Sequence, residues 1–358
     1  MGGKSSDVPY LINDRGDKIY NKKERAELFR QHWEKIFRIS PEENREFDIN
    51  NEIRVNNFLD INRRRIRSYE TSNIERLTEA DSLIKPVQLY EIKFIIKEMK
   101  DKTPGESGIR KKIIEKLPTI ALIKLKDIIN HAISMGYFPE RFKSAIITLV
   151  PKPNKDSTKP ENYRPISLLE VPGKIMEKII NERLVKYLER NNKFSSNQFG
   201  FRKHRGTQVA IATLYEIIAM NQAKKGRCNV VCRDVAKAFD KIWPEGLKYK
   251  ILNQGLPDLY EKLLCEFITN RKAKIRVEEA TSNQFQLSSG VPQGSILSPT
   301  LFILYTADTP APGVGCIDLS FADDNTQIIT YEGRGKNILA LRTSREIKRT
   351  WQRTGVLQ

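Results

Sequence analysis

The sequence contains little cysteine and histidine and no long apolar segment. Its 358 residues include four cysteines and three histidines, too few cysteines for a disulfide framework. No hydrophobic run approaches the ~18 residues that a membrane-spanning helix needs. The N-terminus, MGGKSSDVPY, lacks the apolar core of a secretory signal. These absences predict a protein that is neither secreted nor embedded in a membrane.

Motifs for zinc binding and for nucleophilic catalysis are also missing. Cys228 and Cys232 are four residues apart in CNVVC, which is not the spacing of a zinc knuckle, and no second pair follows at ligand distance. No GxSxG segment or Cys-His constellation is present. We interpret the cysteines as small core residues in strands.

Positive charge is the dominant feature of the composition. Lysine and arginine total 62 against 44 acidic residues, a formal net charge of +18. Such an excess favours a polyanionic partner, with nucleic acid ahead of an anionic membrane surface. Apolar residues make up 39% of the chain, which is enough to bury a core.

The order of periodic segments predicts an α+β fold. Residues 1–85 are polar and charged, with one amphipathic helix at 22–37, and Pro86 marks a boundary. Beyond it, apolar periodicity and turn residues predict helices and then short strands. The predicted helices lie at 89–99, at 119–135, around Met176–Leu188 and after a capping Thr207; the predicted strands are 145–150, 228–234, 274–277, 285–288, 317–321 and 326–330.

Two acidic sites fall at the ends of predicted strands. Asp234 ends one strand, while Asp323 and Asp324 lie at a hairpin turn between two others. Either site alone is ordinary, because Asp is a common turn and cap residue. Together, in a chain of this charge, they match the carboxylates of a two-metal phosphoryl-transfer site.

Six ordered blocks carry a resemblance to a known family. The chain resembles the reverse transcriptases of non-LTR, jockey-like retrotransposons over about residues 86–350. The blocks are TPGESGI (103–109), LVPKPNKDSTKPENYRPISLL (149–169), NQFGFR (197–202), DVAKAFD (234–240), SGVPQGSILSP (289–299) and FADD (321–324).

The resemblance implies a right-hand polymerase fold with a particular domain layout. Residues 1–85 would be a linker or extension and 86–358 the polymerase domain, with helix-and-strand fingers at about 86–227 and an antiparallel-sheet palm at about 228–358. The family's helical thumb is expected to be missing, which leaves open that the chain is a fragment of a longer reading frame.

The resemblance also assigns site residues. The catalytic carboxylates that bind two Mg²⁺ ions, with Mn²⁺ as a substitute, would be Asp234, Asp323 and Asp324. In the family, the second Asp of the adjacent pair, here Asp324, is less strictly required than the first. Phe239 would exclude the 2′-hydroxyl of ribonucleotides. Lys152 and Arg164 would hold the triphosphate, Gln293 and Gly294 would line the nucleotide pocket, and Arg202, Lys203 and Arg205 would contact the template.

The implied function is RNA-directed DNA synthesis in the cytoplasm or the nucleus. Its partners would be an RNA template, a DNA primer or nicked target DNA, and dNTPs, with no membrane. Two alternatives stay open. One is a non-catalytic, nucleic-acid-binding relic of such an element; the other is an RNA-dependent RNA polymerase, against which Phe239 and the block order count.

Overall fold

The computed structural model describes residues 10–38, 82–235, 237–309 and 316–331, with the isolated positions 53 and 57. The helices in these residues are α1 (Lys22–Ile36), α2 (Leu89–Glu98), α3 (Lys111–Glu115), α4 (Thr119–Ser134), α5 (Glu140–Lys143), α6 (Val171–Arg190), α7 (Thr207–Ala223), α8 (Pro244–Leu252), α9 (Asp258–Ile268) and α10 (Ser298–Tyr305). The strands are β1 (Leu11–Ile12), β2 (Lys18–Ile19), β3 (Ser144–Pro151), β4 (Tyr163–Leu168), β5 (Arg227–Arg233), β6 (Arg271–Val277), β7 (Ala280–Thr281), β8 (Phe285–Leu287), β9 (Cys316–Phe321) and β10 (Asp324–Tyr331).

The helices predicted from apolar periodicity are confirmed. The first begins after Asn21, whose side chain accepts hydrogen bonds from the backbone N–H groups of Lys23 (2.9 Å) and Glu24 (3.2 Å), as an N-cap residue does. The prediction that Thr207 caps α7 is wrong by one position. Gly206 occupies the cap and Thr207 is the first helical residue.

A three-stranded antiparallel sheet carries the acidic segments. Its strand order is β5-β10-β9, and each of these strands was predicted to within three residues at either end. Helix α7 lies against one face, where Phe199, Leu319 and Ile328 are buried. The mixed helix-and-sheet class is therefore confirmed.

The second sheet combines strands that are far apart in the chain. Its order is β4-β3-β6-β7, with β8 also paired to β6. Strands β3 and β6 run parallel, and the other pairs are antiparallel. Strand β4 is not among the strands predicted from the sequence, because its alternating apolar residues follow a stretch rich in proline and lysine.

Residues 10–38 pack directly onto this second sheet. Phe29 and Trp33 of α1, together with Phe37 directly after it, are buried in one cluster with Ile147 of β3 and Ile275 of β6. This part of the predicted linker is therefore built into the fold. The remainder of the predicted linker before residue 82, apart from positions 53 and 57, and the predicted palm residues after 331 lie outside the described residues.

The four cysteines are free thiols, but two of them differ from the core strand residues that were predicted. Cys232 is exposed at the open edge of its sheet, and Cys265 lies in α9. In the part of the chain that the structure describes, no helix combines the length and apolar character needed to cross a bilayer.

Candidate active site

The β9–β10 hairpin presents Asp323 at its turn. Phe321 and Asp324 pair across the strands, so Ala322 and Asp323 form a two-residue loop, and Ala322 has φ 58°. Positive φ is typical of such tight hairpin turns. The buried Gln198 holds the loop, since its Oε1 accepts from the Ala322 N–H at 2.9 Å and its Nε2 donates to the Ala322 carbonyl at 3.2 Å.

Gly200 allows the hairpin turn to lie against the neighbouring loop. A Cβ at this position would overlap the backbone nitrogen of Ala322. Gly200→Ala is therefore expected to destabilise the fold by about 1–3 kcal/mol through overpacking, measured by urea unfolding. Gly206→Ala is the control, because nothing lies within 4 Å of the added methyl group there. Equal stability of the two variants would contradict the close approach.

Asp234 lies beside the hairpin because of the sheet register. Arg233 pairs with Asn325, so one step further the chain places Asp234 next to the position of Asp324. Asp234 and Asp324 are both exposed and Asp323 is partly buried. The strands thus bring Asp234 next to the Asp323–Asp324 pair, which lies about ninety positions later in the chain.

A single cavity of about 560 Å³ gathers most of the predicted site residues. Seven of the eight residues predicted for metal and nucleotide binding line it: Lys152, Arg164, Asp234, Phe239, Gln293, Gly294 and Asp323. The eighth, Asp324, is exposed and does not line it. These residues come from four separate segments, so the cavity exists only in the folded chain.

The carboxylates of the cavity lie close enough to interact. Partial burial raises the pKa of Asp323, and the nearby charges of Asp324 and Asp234 raise it further. Mutual repulsion of this kind favours a bound cation. Within the described ranges no group of three or more His, Cys, Asp or Glu side chains is arranged to hold a metal ion. The donor set nevertheless fits Mg²⁺, which commonly uses one or two carboxylates together with substrate phosphates and water.

Aromatic contacts fix the ring of Phe239. It lies in the 3₁₀ turn Ala238–Lys241, stacked on Phe302 at 4.6 Å between ring centroids and edge-on to Phe201 at 6.1 Å. A ring supported from two sides cannot readily rotate away. The ring is therefore suited to restrict the size of a group that enters the cavity beside it.

The β3–β4 pairing places Lys152 and Arg164 near each other. Arg164 lies opposite Val150, and the backbone N–H of Lys152 donates to the Asn162 carbonyl at 2.8 Å. Both side chains therefore reach the cavity from the same end of the strand pair. The cavity thus has a cationic side as well as an acidic one.

The side chain of Gln293 is held by Asp240, a residue for which the sequence predicted no role. The Gln293 Nε2 group donates to both carboxylate oxygens of Asp240, at 2.8 and 2.9 Å. Ser289 Oγ donates to the Asp240 carbonyl at 3.0 Å. The turn after Asp234 and the SGVPQG loop are thereby joined, and the amide of Gln293 is oriented at the cavity wall.

Burial raises the pKa of Asp240 to about 6, against the lowering effect of the Gln293 hydrogen bonds. Since this pKa lies above the ordinary value, the folded protein binds the proton more tightly than the unfolded chain does. The contribution of Asp240 to stability therefore falls as pH rises from about 4 to about 6, by up to ~3 kcal/mol.

Asp240→Asn is expected to remove this contribution to the pH dependence. The free energy of unfolding in urea, followed at intervals from pH 4.5 to pH 7, should then decline less for Asp240→Asn than for the unsubstituted chain. Parallel declines in the two proteins would show that Asp240 does not titrate in this range.

The three residues predicted to contact the template lie outside the cavity. The Arg202 side chain is 8% exposed, and its guanidinium donates to both carboxylate oxygens of Glu189, at 2.8 and 2.6 Å, and to the Ser195 carbonyl. Arg205 lies over the Phe199 ring at 5.6 Å, and Lys203 is exposed. Arg202 therefore has a structural role here, and template binding by all three stays a prediction.

Other cavity residues were missed from the sequence. Trp33, Tyr163, Phe201 and Lys237 also line the walls. Tyr163, Phe201 and Lys237 lie inside blocks that carry the resemblance, and this position in the sequence could have identified them. No sequence pattern connects Trp33, about two hundred residues from Asp234, with the acidic segments.

Comparison with known proteins identifies the family of the chain. A family model described as "Reverse transcriptase (RNA-dependent DNA polymerase)" matches residues 150–354, more than half of the chain. The chain belongs to the reverse transcriptase family. This match includes the acidic segments and all the nucleotide-pocket residues predicted above.

Its relatives are enzymes of non-LTR retrotransposons. The chain is 34% identical to a probable RNA-directed DNA polymerase from transposon X-element of Drosophila melanogaster, over 73% of this chain and 29% of the relative. It is also 34% identical to the polymerases from transposon BS of the same species and from the mobile element jockey of Drosophila funebris. Those matches cover 64% and 63% of this chain and 25% of each relative. The chain therefore spans less than a third of the length of each.

Proposed function

We propose that the chain is the RNA-directed DNA polymerase module of a non-LTR retrotransposon. It would extend a DNA primer or nicked target DNA along an RNA template with dNTPs. The observation that supports this most directly is the cavity, which places Asp234 and Asp323 on the same walls as Lys152 and Arg164. A nucleoside triphosphate and a growing strand need this combination of carboxylates and cations.

The carboxylates would hold Mg²⁺ ions, with Mn²⁺ as a substitute. Asp234 and Asp323 are the main ligands in this proposal, because both line the cavity, whereas Asp324 contributes from outside it. When bound, the metal would activate the attacking hydroxyl and neutralise phosphate charge. The hairpin and its Gln198 contacts keep Asp323 in place for this role.

The other residues would position the nucleotide. Lys152 offers a point charge and Arg164 a planar fork to the phosphate oxygens. Phe239 would lie beside the sugar and exclude a 2′-hydroxyl. At Gly294, φ is 115° and a Cβ would lie 2.6 Å from the Ser167 carbonyl, so glycine lets this backbone follow the cavity wall closely.

In a right-hand description, the β5-β10-β9 sheet would be the palm, and the second sheet with its helices would be the fingers. Strands β6 to β8 follow residue 228 in the chain, but β6 pairs with β3, and β7 and β8 pair with β6. The proposed fingers therefore include residues from both sides of the boundary predicted at 227/228. This happens because a parallel pair needs a long crossover between its strands.

The test is primer extension by the purified chain on an RNA template. Incorporation of dNTPs that requires a divalent cation and stops on chelation is the expected result. The same reaction with NTPs should give far less product. A folded chain that binds an RNA–DNA hybrid but never extends the primer would instead support the non-catalytic relic.

A further inference from the structure

Lys237 has an unusual conformation at the cavity wall. It has φ 57°, a left-handed backbone that is uncommon for lysine and is maintained only where its surroundings determine it. Its ammonium lies over the ring of Trp33, 5.3 Å from the centroid. Both residues line the cavity. The arrangement directs a cation into the space that Lys152 and Arg164 also face.

Trp33 reaches this wall from α1, in the segment before the polymerase blocks. The residue is 1% exposed, and its indole Nε1 is buried without a hydrogen-bond partner among the described residues. A buried orphan donor is uncommon in a folded protein. Its ring face provides a cation–π contact for Lys237, which is stronger where water is excluded.

The ammonium of Lys237 is close to other cations and has no ion-pair partner among the described residues. Burial lowers the pKa of Lys237, and the charges of Lys152 and Lys241 lower it further; the opposing effects of Asp240 and Glu161 are smaller. Lys237 forms no ion pair with the described carboxylates. Neighbouring cations repel each other in the absence of an anion, and several phosphates in a row would relieve the repulsion.

We propose that Lys237 is a third phosphate-binding cation of the nucleotide cavity and that Trp33, from the N-terminal helix, is the positioning residue that holds it there. The proposal extends the proposed function, because it identifies the polyphosphate of the nucleotide as the ligand of this wall. It also gives the N-terminal helix a part in substrate binding.

The first experiment measures binding of inorganic tripolyphosphate to the full chain by calorimetry, in EDTA, so that no metal and no base contributes. Lys237→Gln is expected to weaken binding by about 10-fold, the effect of losing one charge-assisted contact. Lys241→Gln is the matched control, with the same charge change on the same turn at an exposed position outside the cavity. Equal losses of binding in the two variants would show that the overall charge of the chain, and not the position of Lys237, causes the effect. This result would overturn the proposal.

The second experiment tests the coupling between the two residues. Trp33→Leu is expected to weaken tripolyphosphate binding about 3-fold, and to have no further effect in the Lys237→Gln background. Phe285→Leu removes a ring from the same buried cluster, away from the cavity, and should leave binding unchanged. If Trp33→Leu still weakens tripolyphosphate binding in the Lys237→Gln background, Trp33 does not act through Lys237. This result would exclude the positioning role.

These outcomes are distinguishable from failure of the proposed function. If Lys237→Gln weakens tripolyphosphate binding but the unsubstituted chain extends no primer, the phosphate site stands and the polymerase proposal fails. If the chain extends primers and Lys237→Gln changes neither the KM for dNTPs nor tripolyphosphate binding, the polymerase proposal stands and the third cation is excluded.

Discussion

Replacing Asp323 with Asn is expected to lower metal-dependent primer extension at least ~1,000-fold, because bound metal contributes several kcal/mol to such transfers. A neutral amide has nearly the same shape as the carboxylate but is a poorer Mg²⁺ ligand. The side chain lies at the hairpin turn and lines the cavity, so the substitution removes charge where the reacting groups would meet. Single-turnover extension on an RNA template measures the effect.

Asp324→Asn is the matched control for this experiment. It makes the identical chemical change one residue later, at an exposed strand position that does not line the cavity. Its loss should be much smaller, about 10-fold. Both variants should unfold at urea concentrations close to that of the unsubstituted chain. Full activity of a folded Asp323→Asn protein would remove this residue from the site, and equal losses would contradict the greater role given to the residue that lines the cavity.

Phe239→Val is expected to let ribonucleotides enter, with the preference for dNTPs over NTPs reduced about 100-fold. The estimate follows from the discrimination of about 100-fold that an apolar pocket achieves against a single added hydroxyl group. The ring is held between Phe302 and Phe201, so only its removal opens the space. The measurement is the ratio of kcat/KM for a dNTP to that for the matching NTP.

Phe239→Tyr should keep this preference, since it retains the ring and its stacking. Phe302→Leu should reduce the preference only in part, because it removes a support of the ring and leaves the ring itself. If Phe239→Val extends primers with an unchanged ratio, discrimination between the sugars lies elsewhere in the cavity. The same ratio would also bear on the RNA polymerase alternative, which requires a preference for NTPs.

Local sequence determined most of the secondary structure in the described residues. The apolar spacing of Ile92, Ile95 and Ile96 predicted a helix, and all three are buried in α2. Period-two strands around the FADD segment predicted the hairpin that is observed in β9 and β10. These elements were predictable because their periodicity reflects which side of each element is buried.

Sequence also determined the family, since the ordered blocks are specific together even where each is weak alone. It did not determine that α1 would pack on the second sheet, or that β3 would pair in parallel with β6 more than a hundred residues later. Such pairings depend on which apolar faces meet after the chain has turned back many times. No local period encodes them.

The candidate active-site cavity shows the same division between sequence and tertiary structure. The chemical types of its predicted residues, which include two carboxylates, two cations and an aromatic ring, were predicted from the blocks that carry them. Their meeting in one space, the hydrogen bonds from Gln293 to Asp240, and the contact of Trp33 with Lys237 arise only from the packing of distant segments. Distances between side chains from separate elements depend on the register and packing of whole sheets and helices, and only the tertiary structure decides these.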